Sequence, residues 1–301
     1  NGVIEQVVSG IGNVEHNSIL VRYSNDFSIW DLESVNHYKD QSDIFFTCHE
    51  FSYNKIAEAY EPYLGLIRQM FHRYCSGTLE EFMEECDVYK LQRPVFESYF
   101  ENGFCERTEQ ILIDEVEYEQ ERMRNSIVTM LQKLSEIRPV VIVLNRFQLA
   151  SKSTMQLTNR LLQTKNKNIG IVLGVNDVQS IPEFAHEEWD AICESMDDRN
   201  MVYHIGNAGR NMEPDVMDYY SDYESDDGYR KLNNLVYFLD FDQANHHLSK
   251  IERRIKFDNF TISEKKHYQL LLLQIMVSVL QRDIAKALES CEDLEKLQDQ
   301  E

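Results

Sequence analysis

Polar residues directly after two predicted strands are the strongest candidates for binding chemistry in this chain. Two short apolar runs rich in β-branched residues, Ser18–Tyr23 and Val140–Leu144, are typical of parallel strands covered on both faces. Because parallel strands end at one edge of a sheet, the residues that follow them often bind ligands. The candidate residues are Ser24, Asn25, Asp26, Asn145 and Arg146. Their carboxylate, amide and guanidinium groups could bind a small polar ligand.

Two other groups of residues could carry chemistry, and each has a simpler structural interpretation. Cys48, His49 and Glu50 could supply a nucleophile and a base, but adjacent strand residues point to opposite faces. Cys48 is therefore interpreted as a small core residue. Asp242 and His246 could bind a metal, although this spacing is also that of a solvated helix face. We predict no catalytic residue, no metal ligand and no cofactor.

Strands and helices alternate along the first two thirds of the chain. The predicted strands are Ser18–Tyr23, Asp43–Cys48, Val140–Leu144, Asn168–Val175 and Met201–Ile205. The helical patterns between them are Tyr53–Cys75 with a break at Pro62, Thr78–Tyr89 with a capping box of Thr78 and Glu81, the acidic segment Glu106–Glu136, and Ser151–Gln163. This alternation predicts an α/β fold with a parallel sheet and helices on both faces.

The pattern changes after Gly206. Residues 212–229 are acidic, rich in tyrosine and poor in aliphatic side chains, which is typical of an exposed loop or linker. The helices predicted after Lys231 are Asn234–Lys256, Ser263–Gln281 and Asp283–Gln298. We therefore predict an α/β domain over residues 1–210, an acidic, tyrosine-rich linker over 211–230 and a small all-helical part over 231–301.

The charge balance of the chain limits its partners. It carries 52 acidic and 30 basic residues, which gives a formal net charge of −22. Binding to nucleic acid or to an anionic membrane surface requires clustered Lys and Arg, so both are disfavoured. The longest apolar run, Leu270–Leu280, is too short to span a bilayer. The expected partners are proteins or other domains of the same polypeptide.

The six cysteines indicate a reducing compartment. None lies in a Cys-x-x-Cys pair, and the chain lacks the cysteine density of small secreted domains. We predict reduced thiols and a cytoplasmic location. Because the chain begins at Asn1 without a methionine and stops within a helical pattern at Glu301, we also expect a fragment of a longer protein.

The order of these segments resembles the STAND-type ATPase domains of bacterial signalling proteins, which are AAA+-like P-loop NTPases found ahead of helical repeats. Residues 139–150 resemble the Walker B strand of this family, which handles Mg²⁺, and residues 168–174 resemble its sensor strand. Residues 263–298 resemble one tetratricopeptide-like (TPR-like) hairpin, with Ala287 at the small packing position. The resemblance implies a P-loop NTPase-like sheet over about residues 18–206, followed by TPR-like repeats.

The residues that would bind nucleotide in this family are missing. The family has a glycine-rich loop ending in Gly-Lys-Ser/Thr after its first strand and an aspartate at the end of its Walker B strand. Residues 24–36 contain neither glycine nor lysine, and the charges of Asp26, Asp31 and Glu33 would repel phosphate groups. Asn145 stands in place of the aspartate. The resemblance therefore implies a degenerate nucleotide site, which would lie at Ser24, Asn25, Asp26, Asn145 and Arg146.

The leading hypothesis from the sequence is a non-catalytic regulatory or scaffolding module of a larger signalling protein. One alternative is an active or nucleotide-binding ATPase switch, with an unorthodox site or a site completed by residues outside this chain. A further alternative is an α/β domain that binds a small ligand at its strand ends. The most useful single observation is whether the first strand lies centrally, beside the third, with residues 24–36 at its carboxyl end.

Overall fold

A computed structural model describes residues 2–13, 17–23, 38, 43–52, 55–105, 115–164, 166–176, 181–197, 201–205, 225–257 and 262–298. The chain divides into two compact units, each discontinuous in sequence. The first contains residues 1–53, 60–88 and 124–217, and the second contains residues 54–59, 89–123 and 218–301. Residues 54–59 and 89–123 therefore cluster with the C-terminal helices, whereas the sequence analysis placed both segments in the α/β domain.

The secondary structure alternates in the first unit and is helical in the second. The strands are β1 (Ser18–Tyr23), β2 (Phe45–Glu50), β3 (Val140–Asn145), β4 (Ile169–Asn176) and β5 (Val202–Ile205). The helices in chain order are α1 (Gly2–Gly10), α2 (Tyr63–Tyr74), α3 (Leu79–Glu85), α4 (Arg93–Asn102), α5 (Val116–Ile137), α6 (Lys152–Gln163), α7 (His186–Asp197), α8 (Asp226–Tyr237), α9 (Phe241–Phe257), α10 (Glu264–Leu280) and α11 (Ile284–Gln298). Helices α4 and α8–α11 belong to the second unit, and α5 is divided between the units at Arg124.

The five strands form one parallel sheet in the order β2-β3-β4-β1-β5. The predicted parallel sheet is thereby confirmed, and the bounds of four strands need correction. The bounds of β3, β4 and β5 differ from the prediction by one residue at one or both ends. Strand β2 begins and ends two residues later than predicted, because its ladder with β3 runs from Phe45–Val140 to Glu50–Asn145.

The first strand has a neighbour on each side in the sheet, but the third strand is not one of them. Strand β4 lies between β1 and β3 and pairs with both along its length. All eight residues of β4 are buried, as expected for a strand with neighbours on both sides and helices on both faces. Any contact between the ends of β1 and β3 must therefore reach across β4.

One face of the sheet is covered by α1. The buried cluster between them contains Ile4, Val7, Ile19, Val21, Val141, Val143, Val172 and Met201. Tyr38, which belongs to the connection from β1 to β2, packs on the same cluster. This connection therefore contacts the α1 face of the sheet.

The opposite face is covered by α2, α6 and α7. Phe45 precedes Phe46 of the α1 face, so its ring points away from α1 and meets Tyr74 of α2 edge-on at 6.1 Å. Arg22 alternates with Val21 in the same way, and its guanidinium lies 3.1 Å from Cys193 Sγ of α7. Helix α6 packs on α7. The connections that leave β2, β3 and β4 therefore place helices on this face.

Gly170 allows the close approach of α1 to β4. A Cβ atom at this position would lie 2.7 Å from Val7 Cγ1 and 3.2 Å from the Asn17 carbonyl oxygen. We expect Gly170→Ala to lower the free energy of unfolding by about 1–3 kcal/mol, because helix or strand must shift to relieve the contact. Urea denaturation measures this loss. Gly77→Ala is the control, since its Cβ would meet only the flexible carboxylate of Glu81, and equal losses would contradict the argument.

The predicted helix Tyr53–Cys75 is wrong in its first part. Helix α2 begins only at Tyr63, directly after the cis Glu61–Pro62 peptide. Tyr60 has a left-handed backbone with a φ of 56°, which a continuous α-helix does not permit. By contrast, the capping box of Thr78 and Glu81 at the start of α3 is confirmed.

In the second unit, two predictions are corrected. Residues 206–224 of the predicted loop and linker region lie outside the described residues. Asp226–Tyr229 are not linker but the first turn of α8, and Ser225 is the N-cap of this helix. The predicted single helix Asn234–Lys256 is two helices, α8 and α9, separated at Phe238–Asp240. Helix α4 was not predicted, although Pro94 near its start and the left-handed Gly103 after its end are typical boundary residues. Residues 106–114 of the predicted segment Glu106–Glu136 lie outside the described residues.

The last four helices form two similar hairpins, α8–α9 and α10–α11. In each hairpin a residue with a left-handed backbone, Leu239 or Arg282, follows the first helix. The backbone N–H groups of this residue and of the next residue donate hydrogen bonds to carbonyl oxygens of the first helix. That next residue is Asp240 or Asp283, whose carboxylate caps the second helix. A buried alanine, Ala244 or Ala287, follows the capping aspartate at the same sequence spacing in both hairpins. The two hairpins therefore repeat with a spacing of 43 residues, the difference between positions 239 and 282.

No helix within the described ranges combines the length and the apolar character needed to cross a bilayer. The six cysteines are free thiols. Burial raises the pKa of the Cys86 thiol to about 12 and that of Cys193 to about 11. Both groups are therefore protonated and poorly nucleophilic near neutral pH.

Candidate functional site

The carboxyl edge of the sheet has a topological switch point between β1 and β4. The connection that leaves β1 contacts the face of α1, whereas the connection that leaves the neighbouring β4 contains α7 on the opposite face. In open α/β sheets a crevice forms where adjacent strands have connections on opposite faces, and ligands bind there. The described polar residues at this edge include Tyr23, Glu50, Asn145, Arg146, Gln148 and Asn176.

A hydrogen bond between Tyr23 and Asn145 joins the ends of β1 and β3. The Tyr23 hydroxyl donates to Asn145 Oδ1 at 2.8 Å, and the two residues are only 2% and 1% exposed. Both side chains lie on the α1 face, so the phenol reaches across β4. Gly174 follows Leu173, the β4 partner of Leu144, so β4 places no side chain beside Asn145. The Asn145 oxygen is therefore bonded to the protein itself.

The other polar atom of the Asn145 amide has no partner among the described residues. Asn145 Nδ2 is buried and finds no acceptor there, while the backbone oxygen of Asn145 accepts from Phe51 N at 3.1 Å. A buried donor without an acceptor costs about 1–3 kcal/mol, and each such group in a folded protein calls for an explanation. The amide thus offers one N–H donor at the edge where α/β sheets bind ligands.

Arg146 has a left-handed backbone and pairs with the end of β2. Its φ and ψ are 54° and 41°, a conformation that is uncommon outside glycine. Its Nε atom lies 3.3 Å from Glu50 Oε1, and the two side chains are about a quarter exposed. Since Glu50 compensates its charge, Arg146 does not supply an unpaired cation for a phosphate group.

Gln148 fixes the end of β4. It belongs to the 3₁₀ turn Phe147–Leu149, is fully buried, and its Oε1 accepts a hydrogen bond from Asn176 N at 3.2 Å. Helix α6 begins just after this turn, where Ser151 caps it by accepting from Thr154 N. The segment between β3 and α6 therefore positions the ends of both β3 and β4.

The structure brings part of the predicted site together. Asn145 and Arg146 lie at the carboxyl edge, whereas Ser24, Asn25 and Asp26 lie outside the described residues. The sequence analysis missed Tyr23, Gln148 and Asn176 as members of the edge. Tyr23 and Asn176 are the last residues of apolar strands, and this position in the sequence could have identified them as edge residues. Gln148 gave no signal, because its role depends on a contact with β4.

The Cys48-His49 pair is separated as predicted. Cys48 packs against the hydrophobic cluster on the α1 face. His49 points to the opposite face, where its Nε2 lies 3.5 Å from Glu61 Oε1 and its ring meets Phe51 edge-on at 4.6 Å. The two side chains therefore cannot act together as a nucleophile and a base.

Among the described residues, the Asp242–His246 pair has no further ligand that would complete a metal site. No group of three His, Cys, Asp or Glu residues suited to a metal ion occurs in the described part of the chain. His247, the neighbour of His246, is buried and its Nε2 lies 3.0 Å from Gln243 Nε2. Burial lowers the pKa of His247 to about 3, so this imidazole is neutral near pH 7.

Tyr23→Phe is expected to lower the free energy of unfolding by about 1–3 kcal/mol, because Asn145 Oδ1 would become a second unpaired buried atom. Urea denaturation measures the loss. Tyr203→Phe is the matched control: its hydroxyl bonds to Gln6 Oε1 at 2.7 Å in a half-buried position, and we expect a loss of at most about 1 kcal/mol. Equal losses would contradict a special role for the Tyr23–Asn145 bond.

Comparisons of the chain with protein-family models, with curated proteins and with solved structures gave no match.

Proposed function

We propose that this chain is a non-catalytic regulatory or scaffolding module, a degenerate STAND-like ATPase domain followed by TPR-like helical repeats. The observation that carries the proposal is the bond between Tyr23 and Asn145. A Walker B aspartate would use its charge to hold a hydrated Mg²⁺ ion, whereas Asn145 is uncharged and its oxygen accepts from a tyrosine. The pair stabilises the sheet edge at the place where the metal would bind.

The charge at the edge also disfavours a nucleotide. Glu50 compensates Arg146, and Glu61 adds a further carboxylate beside His49. The segment that follows β1 carries Asp26, Asp31 and Glu33 and has neither glycine nor lysine. Phosphate groups are bound by backbone N–H groups of glycine-rich loops and by cations, so this edge is poorly suited to a triphosphate.

The second unit supports an interaction role. Its two hairpins repeat with a spacing of 43 residues and share the turn geometry, the capping aspartate and the buried alanine. Stacked helical hairpins form extended surfaces that contact other protein segments. A sheet domain whose described edge is poorly suited to a nucleotide, joined to such hairpins, suits a module that positions other proteins or other domains of its own polypeptide.

A second candidate function is the binding of a small ligand at the switch point of the sheet. It is favoured by Asn145 Nδ2, a buried donor without an acceptor among the described residues. The matching ligand group is an oxygen acceptor such as a carbonyl or carboxylate. Acetate can serve as a probe: a saturable shift of the Asn145 side-chain amide resonance would support this function, and an unshifted resonance would argue against it.

The proposed function is tested by the melting temperature in the presence of ATP and Mg²⁺. A ligand that binds only the folded protein raises the melting temperature by mass action. We expect no shift with ATP and Mg²⁺ together beyond the effect of each alone. A rise that requires both would contradict the proposal and would favour the nucleotide-binding alternative.

A further inference from the structure

Three helices of the second unit, α9, α10 and α11, enclose an elongated pocket. Helix α10 packs against both of the others and supplies Leu270 and Leu271 to the pocket. The residues of α9 that line it, Leu248 to Lys256, extend over about 12 Å at about 1.5 Å per residue. The pocket volume is about 350 Å³. This volume lies within the range of about 300–1,000 Å³ that is typical of small-molecule sites.

The pocket is lined mainly by aliphatic side chains. They are Leu248, Ile251, Ile255, Leu270, Leu271 and Leu297. Water in an aliphatic pocket finds few hydrogen-bonding partners, so an alkyl chain that displaces it gains free energy with each methylene group. The walls of the pocket therefore match the body of a linear aliphatic molecule.

At one end of the pocket, formed by the last turns of α9 and α11, the lysines are paired with carboxylates. Lys256 Nζ lies 2.6 Å from Glu252 Oε1 and 3.7 Å from Glu289 Oε1. Lys296 Nζ lies 2.8 Å from Asp293 Oδ1. Because carboxylates of the protein already compensate both lysines, this end is poorly suited to an anionic ligand group.

Lys286, in the first turn of α11, lies at the other end of the pocket. Its Nζ atom donates to Ser249 Oγ at 3.4 Å, and no carboxylate among the described residues pairs with it. His267 also lines the pocket, but burial lowers the pKa of its imidazole, and Asp293 offsets only part of that shift. His267 is therefore neutral near pH 7, and Lys286 is the described pocket residue best suited to an anion.

We propose that this pocket binds a linear aliphatic carboxylate of medium chain length, with its alkyl chain along α10 and its carboxylate at Lys286. A carboxylate accepts a charge-assisted hydrogen bond from the lysine ammonium group. Residues 248–297 contain nine Lys and Arg and eight Asp and Glu, so the net charge of −22 arises elsewhere in the chain and does not exclude an anion here. The site lies within the second unit and does not depend on the function proposed above.

A chain-length series tests the proposal. The 301-residue protein, labelled at its isoleucine δ1-methyl groups, is titrated with hexanoate, octanoate and decanoate at about pH 7. We expect saturable shifts of the Ile251 and Ile255 methyl resonances, an unshifted Ile142 in β3 as the control, and an affinity that rises about fourfold per added methylene. Ile251 and Ile255 resonances that do not shift, or an affinity that is independent of chain length, would overturn the proposal.

Two matched lysine variants locate the carboxylate. Lys286→Gln is expected to weaken octanoate binding about tenfold and to leave the affinity for the uncharged 1-octanol unchanged. Lys296→Gln is the control, because Lys296 already pairs with Asp293, and we expect its octanoate affinity to stay within about twofold of the unmodified protein. Equal losses in the two variants, or no loss in Lys286→Gln, would contradict the assignment of the carboxylate to Lys286.

Discussion

Asn145→Asp is expected to lower the free energy of unfolding by about 2–4 kcal/mol at about pH 7, because it would bury a carboxylate without a free cation beside it among the described residues. Asn145 is 1% exposed, and the adjacent Arg146 already pairs with Glu50. The substitution restores the residue type of an active Walker B strand. If the edge were a metal site with one altered residue, the variant would gain affinity for Mg²⁺ and ATP instead of only losing stability.

The pH dependence of this variant identifies the cause of its instability. Burial raises the pKa of a carboxyl group, so the penalty is complete above the pKa of the folded state. The penalty disappears as the pH falls toward the unfolded value of about 3.9. Urea denaturation at several pH values, relative to the unmodified protein, measures it. Asn125→Asp is the exposed control, with an expected change within about 0.5 kcal/mol. A pH-independent loss in the Asn145→Asp variant would contradict the buried-charge explanation.

The second large effect is a loss of stability in acid caused by His247. Burial, with smaller contributions from His246 and Lys250, lowers the pKa of this imidazole to about 3. The unfolded state binds a proton below about pH 6.5 that the folded state does not accept. Stability is therefore complete above about pH 6.5 and falls as the pH decreases toward about 3, by roughly 1.4 kcal/mol per pH unit. By about pH 5 the expected loss from this group is about 2 kcal/mol.

The free energy of unfolding, followed by helical circular dichroism in urea between about pH 7 and pH 5, measures this slope. His247→Gln retains a side chain that can hydrogen-bond to Gln243. This variant is expected to take up about one proton fewer on unfolding, which reduces the slope of stability against pH. His186→Gln is the control, because His186 is exposed. A slope that is unchanged in His247→Gln would contradict the prediction.

Local sequence signals were sufficient for most elements of the first unit. Strand β3 is a continuous run of buried β-branched and aliphatic residues, so pattern alone located it within one residue. The capping box of Thr78 and Glu81 was visible because a capping oxygen and its target N–H group are close in sequence. Such features depend on neighbours along the chain, and therefore a single sequence reveals them.

Features that depend on distant residues were not accessible. The sequence identified Asn145 as an altered residue but could not show that Tyr23 binds it, since that bond requires β4 to lie between β1 and β3. The turn between α8 and α9 was missed because its left-handed residue is a leucine, Leu239. A glycine usually occupies this position and would have indicated the turn. Once that turn is known, the repeat with Arg282 and Asp283 becomes visible in the sequence.

The most direct test of the central claim is a calorimetric titration of the unmodified protein with ATP in the presence of Mg²⁺. The bond between Tyr23 and Asn145, and the pairing of Arg146 with Glu50, make the described part of the sheet edge poorly suited to a metal–nucleotide complex. We predict no saturable heat, which corresponds to a dissociation constant of about 1 mM or weaker. A saturable, Mg²⁺-dependent isotherm with a dissociation constant of about 1 μM would contradict the account.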